Sequence, residues 1–266
     1  MNNGRPPVHT IIYGDPTGGK TTCLTTYPKP MLVFFFDAMG KDGPYLKWAR
    51  RVGATIVDEV AVDSSGQQTV PRRVMTAPNG DSITIEYYND LNPESWAWYH
   101  FEDRISKRYF LDEGYVTVGV DSITFMELAA RMYQKFVVNP KSKEPRQWFA
   151  GSTDSLEYTL LVQLNALPCN VVVLAHIDSD KDELHGVMIR NPAAPGRLTS
   201  RNLLSAGYSE LYRAYVQKGT GPGEERAFLL QTMPDSRFNC ATQIGAPDPS
   251  WQDYESLWDG WDKGEV

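Results

Sequence analysis

Cysteine is scarce in this chain of 266 residues: three occur, Cys23, Cys169 and Cys240, and no two form a CxxC pair. That speaks against a disulfide framework or a cysteine zinc site and makes a reducing cytoplasm the expected compartment. Long hydrophobic runs are also missing. The longest runs from Met31 to Phe36, far short of the ~20 residues that span a bilayer, so no membrane partner is expected. Met1 to Pro7 is polar and carries no apolar segment of the kind a secretory signal needs. Excess positive charge is absent. The net charge is −7, and residues from Asp248 onward, with six acids against Lys263, contribute −5 of it. The remaining body is nearly neutral, which neither excludes nor advertises a local basic groove. No internal repeat or low-complexity tract is present. Hydrophobic residues at 41% and charged residues at 22% exclude a disordered, collagenous or coiled-coil chain. At about 150 residues per domain, one large domain with an insertion fits the length as well as two domains do.

What is there is an alternation of buried strand-like runs with helical patterns, the mark of a mostly parallel sheet covered by helices. Val8 to Tyr13, Met31 to Asp37, Tyr115 to Asp121 and Asn170 to His176 read as buried strands. Helices are expected over Lys20 to Thr26, Pro44 to Arg51, Trp96 to Tyr109 with a start at Asn92 to Ser95, after the strand ending at Asp121 and through Phe136, and Ser155 to Leu167. Residues 55–90 break the rhythm with turn signals at Ser64-Ser65-Gly66 and Asn79-Gly80-Asp81, and read as inserted hairpins. Residues 139–152 and 178–205 read as loops, and Gly219 to Gly223 as the turn of a further hairpin.

Gly14-Asp15-Pro16-Thr17-Gly18-Gly19-Lys20-Thr21 fits GxxxxGK[ST] in full, between a strand and a helix. Glycines at this spacing let backbone N–H groups surround an anion, with a helix start facing it. Lys20 is then expected to reach the β- and γ-phosphates of a nucleotide, Thr21 to ligate Mg²⁺, and Thr22 to bond the α-phosphate. The second metal-site acid is expected at a strand end, and Val116 to Asp121 supplies it in Asp121. His176 ends another strand, where ligands of such sheets gather. It is placed either to sense the γ-phosphate or to bond a neighbouring loop. Asp37 ends the second strand and either orients the attacking water or caps a turn.

With these residues in hand, the chain resembles the RecA-like P-loop ATPases, and among them the compact phage ATPases of the Sak group. The blocks that carry the resemblance are Ile11 to Thr22, Val118 to Thr124 and Val171 to His176, with looser fits at Gly196-Arg197-Leu198 and Phe228 to Thr232. The resemblance implies a RecA-like core over residues 1–247, including the inserted hairpin at 55–90, followed by an acidic, Trp-rich tail over 248–266. It implies ATP and Mg²⁺ as ligands, single-stranded DNA as partner in recombination, annealing or replication, a homo-oligomeric ring or filament, and the cytoplasm of a bacterial host. Two departures stand out. The position where RecA-like enzymes carry a catalytic Glu is Met39, and His176 stands where many relatives have Gln. Methionine cannot polarise water. Either Asp37 substitutes, or the protein is a nucleotide-binding assembly component with little turnover.

An oligomer of this kind completes its site with a neighbour's cation, for which Arg197, Arg201, Lys218 and Arg226 are the candidates. For DNA, Lys141, Lys143 and Arg146 run into Trp148 and Phe149, a basic-aromatic loop suited to phosphates and bases, and Arg72-Arg73 tips a second candidate hairpin. In the tail, Trp251, Trp258 and Trp261 sit among the acids and are expected to dock, either on the domain or in competition with DNA for a basic groove.

Overall fold

The β-branched and aromatic runs form strands, and the 3.6-residue patterns form helices, in this computed structural model. It describes residues 5–63, 65–90, 96–181, 188–194, 203–218 and 225–264. In chain order the elements are β1 (His9–Gly14), α1 (Lys20–Leu24), β2 (Met31–Phe35), α2 (Gly43–Val52), β3 (Thr55–Val62), β4 (Gln68–Thr76), β5 (Ser82–Tyr87), α3 (Ala97–Lys107), β6 (Thr117–Asp121), α4 (Ile123–Tyr133), α5 (Pro145–Tyr158), β7 (Asn170–Ala175), β8 (Ile177–Lys181), β9 (Met188–Pro192), α6 (Leu203–Gly207), β10 (Glu210–Gln217), β11 (Ala227–Gln231), β12 (Ser250–Trp251), α7 (Tyr254–Leu257) and α8 (Asp259–Asp262). The expected class, α/β with parallel strands between helices and inserted hairpins, is the one observed. Two compact units arise, Met1–Tyr27 with Val172–Val266, and Pro28–Val171.

In the first unit β1 pairs in parallel with β10, and β10, β11 and β12 follow in antiparallel order. The residues from 248 onward belong to this packing. Ser250 and Trp251 add the strand β12, Asp248 Oδ1 accepts from Thr232 N at 2.8 Å, and Trp258 is fully buried. Trp251 and Trp261 stay largely exposed. Arg5 donates to Glu255 at 2.8 Å and to both oxygens of Asp262, and its guanidinium lies 5.3 Å from the Trp258 ring.

In the second unit β2 lies in parallel between β5 and β6, and β3–β4–β5 form an antiparallel meander. The insertion read over 55–90 is thus hairpin-built and continues the β2 edge. An aromatic cluster holds the end of β2: Phe34 and Phe36 meet Phe101 edge-on at 5.2 and 5.0 Å, with Tyr88, Trp98 and Phe110 around them. Such pairs each add about 0.5–1.5 kcal/mol beyond burial. A charge is buried beside them. Glu86 is 0% and Arg104 3% exposed, joined by Arg104 Nη2 to Glu86 Oε1 at 2.7 Å and Nε to Oε2 at 3.2 Å. Tyr88 donates its hydroxyl to Glu86 Oε2 at 2.8 Å, and Glu113 accepts from Arg104 at 2.6 Å.

Several expectations need correction. Residues 139–152 are not one loop: α5 begins at Pro145, because proline at a first helical position costs no hydrogen bond. Arg146, Trp148 and Phe149 therefore sit on a helix. Residues 178–205 are not all loop either, since β8 and β9 pair as a hairpin there. Arg72 and Arg73 lie within β4, not at a tip, and are held by Glu59 and Glu113, and by Asp42 and Asp58. The expected helix start at residues 92–95, the turn at Gly219 to Gly223 and the block at 196–198 lie outside the described residues. All three cysteines are buried free thiols. Among the described residues, no helix is long and apolar enough to cross a membrane.

Candidate functional site

The first unit carries the glycine loop of residues 14–22. Gly14 ends β1 opposite Ala214 of β10, and a Cβ at Gly14 would lie 2.4 Å from the Ala214 carbonyl oxygen. The loop then turns: Gly18 N donates to Asp15 O at 3.1 Å, and Thr17 and Gly19 adopt left-handed φ of 68° and 90°. Left-handed residues set between ordinary ones make a concave run of peptide groups, the form that suits an anion. Threonine reaches this region at a cost of about 1–3 kcal/mol, which marks Thr17 as held there by the loop. Lys20 is buried, and its ammonium donates to Gly14 O at 2.8 Å and Asp15 O at 2.9 Å. Asp15, Pro16, Thr17 and Thr22 are exposed, while Thr21 is half-buried. His176, just past β7, is half-buried in the same unit.

The second unit carries the acidic strand ends. β2 and β6 run in register with Phe35 beside Asp121, so both strands lead into a carboxylate, Asp37 standing two residues past the level of Asp121. Phe36 N and Asp37 N both donate to Asp121 O, at 2.7 and 3.3 Å. Ser122 Oγ donates to Asp37 Oδ1 at 2.7 Å. Asp121 and Ser122 are buried and Asp37 is half-buried. Sequence reasoning missed Tyr45, whose hydroxyl donates to Asp121 Oδ2 at 2.9 Å. Burial first, and then the neighbouring Asp121, hold this hydroxyl well above the ordinary tyrosine range, so it remains a donor. The spacing of Tyr45, Trp48 and Ala49 on the buried face of α2 was the available signal. Met39 is 81% exposed, with nothing of a general base about it.

Of the proposed cations, Lys218 and Arg226 are exposed, and Arg197 and Arg201 lie outside the described residues. Lys141, Lys143 and Arg146 are exposed. Trp148 and Phe149 already have cations against their rings, Lys135 at 5.5 Å and Arg131 at 4.9 Å.

A glycine loop of this shape at the end of a buried, parallel-paired strand defines the P-loop ATPase class. The chain belongs to the AAA domain family, whose model matches residues 7–206. No curated protein matches it. Among solved structures it is similar to a KaiC-like protein from the hyperthermophilic archaeon Pyrococcus horikoshii OT3, at 12% identity and a TM-score of 0.37, over 85% of this chain and 79% of that one. It is also similar to the flagellar accessory protein FlaH of Methanocaldococcus jannaschii, at 11% identity and a TM-score of 0.36, over 90% of this chain and 84% of that one.

Proposed function

We propose that the protein binds ATP at the 14–22 loop and hydrolyses it while acting on single-stranded DNA, in the manner of the phage Sak-type annealing and recombination ATPases it resembles. The observation that carries the reading is the loop itself, in which Gly14, Thr17, Gly18 and Gly19 shape a concave backbone around the base of Lys20. Those residues fit a polyphosphate. Lys20 exchanges its loop carbonyls for β- and γ-phosphate oxygens; Thr21, by its hydroxyl, and Asp121, whose carboxylate Tyr45 holds, are the residues that would bind Mg²⁺. The ion would supply positive charge against the polyphosphate. Asp37, braced by Ser122, orients the attacking water, and His176 senses the γ-phosphate. Subunits join in a ring or filament, and a neighbour supplies the final cation.

The test is ATP hydrolysis with and without single-stranded DNA: stimulation supports this reading. The exposed Met39 favours a second one, a nucleotide-dependent assembly protein with little turnover, which tight binding without hydrolysis would support. Asp37→Asn separates the two. We expect turnover to fall at least tenfold with ATP affinity intact, the signature of a contact made only in the transition state. Met39→Glu is expected to raise turnover. If neither variant changes the rate, the water-activating group lies elsewhere.

The DNA part of the reading rests on Lys141, Lys143 and Arg146. Neutralising all three should reduce the slope of log affinity against log salt by about 2, from about 0.7 per phosphate contact on a single strand. An unchanged slope in a salt titration removes this segment from the DNA path.

A further inference from the structure

The 14–22 loop is held from outside by a residue near the far end of the chain. Gln252, following β12, is 9% exposed. Its Nε2 donates to Gly18 O at 2.7 Å, to Leu229 O at 3.0 Å and, more weakly, to Tyr215 O at 3.4 Å. The side chain thus links the loop to β10 and β11 with one amide. Its other end fills the space beside Gly19: a Cβ there would lie 2.1 Å from Gln252 Oε1 and 2.9 Å from Phe228 Cδ1. Glycine at 19 is therefore demanded twice, by its φ of 90° and by Gln252.

The direction of this bond matters. The peptide between Gly18 and Gly19 is planar and trans, so its C=O and N–H point opposite ways. Holding the Gly18 oxygen toward the β10 and β11 carbonyls turns the Gly19 N–H to the other side. Without Gln252 that peptide, flanked by two glycines' worth of backbone freedom, can rotate and withdraw its donor. We infer that Gln252 is a positioning residue for nucleotide binding: it fixes the Gly18–Gly19 peptide so that the Gly19 N–H faces the phosphates. This rests on the reading of the loop as a phosphate site.

Gln252→Leu keeps the bulk and removes the donor, and Gln252→Asn keeps the amide but shortens its reach. Arg5→Ala is the control, since it loosens the same terminal segment at Glu255 and Asp262 without touching the loop. Binding of a fluorescent ATP analogue is measured alongside thermal unfolding. We expect Gln252→Leu to weaken nucleotide binding about tenfold, the equivalent of one well-placed hydrogen bond, and Gln252→Asn to fall between it and the parent. Arg5→Ala should bind as the parent does. Should Gln252→Leu fail to fold, Gln252→Asn decides alone. Parent-like affinity in the glutamine variants overturns the inference, as does an equal loss in Arg5→Ala, which would make the segment merely structural. If the parent's binding disappears in Lys20→Ala but survives in Gln252→Leu, this inference alone falls. A parent that binds no nucleotide overturns the phosphate-site reading and this one together.

Discussion

Lys20→Ala should lose nucleotide affinity by about 100-fold while remaining folded. The lysine is buried beside the loop, with its ammonium 2.8 and 2.9 Å from two loop carbonyls. Those neutral contacts are modest, whereas a charge-assisted contact to phosphate is worth about 1.5–3 kcal/mol, and 2.8 kcal/mol is about 100-fold. Calorimetric titration with ATP and Mg²⁺ measures the loss, and circular dichroism checks the fold. Lys20→Arg should recover little of it. A planar five-donor fork does not replace a compact ammonium held between Gly14 and Asp15. Undiminished binding in Lys20→Ala would remove the loop from the nucleotide site.

Arg104→Met should be the most damaging single change to stability in the second unit. It leaves Glu86, 0% exposed, without its main counter-charge. Burial alone lowers the proton affinity of Arg104, and the nearby Glu86 and Glu113 more than reverse that, so the guanidinium stays charged inside the fold. Removing one partner of a buried pair costs about 3–5 kcal/mol. At about 2–4 °C per kcal/mol for a chain of this size, the midpoint should fall by about 10 °C. Adding Glu86→Gln to Arg104→Met should return part of the loss, because the amide removes the stranded charge yet still accepts from Tyr88. A double variant no better than Arg104→Met would show that packing around the arginine, not charge, sets the cost.

The strands that carry the candidate residues were legible because they are buried on both faces. Met31 to Phe35 and Val171 to Ala175 are continuous apolar runs of strand length, as suits strands covered on both faces. The glycine loop was legible because its chemistry fixes residue types at fixed spacing. The start of α5 was misread because proline punctuates loops and also opens helices, and Pro145 does the second. β8 and β9 hid in a polar stretch whose alternation is too weak to stand above its charges. Tyr45 could be placed on a helix face but not against Asp121, since that contact joins positions 76 apart. Gln252 left no trace at all: a lone polar residue just past a short strand gains its meaning from a bond across 234 positions.

That separation also orders the chain's birth. The glycine loop emerges from the ribosome before the parallel partner of β1, which begins at Glu210, and Gln252 comes later still. At about 5–20 residues per second, the loop waits some 10–50 s for its clamp. The stretch from Pro28 to Val171 is contiguous and can close on itself meanwhile. The glycine loop is therefore braced only after β10, β11 and Gln252 have been made, and a translation product that stops short of Gln252 would carry the whole glycine motif with no brace behind it.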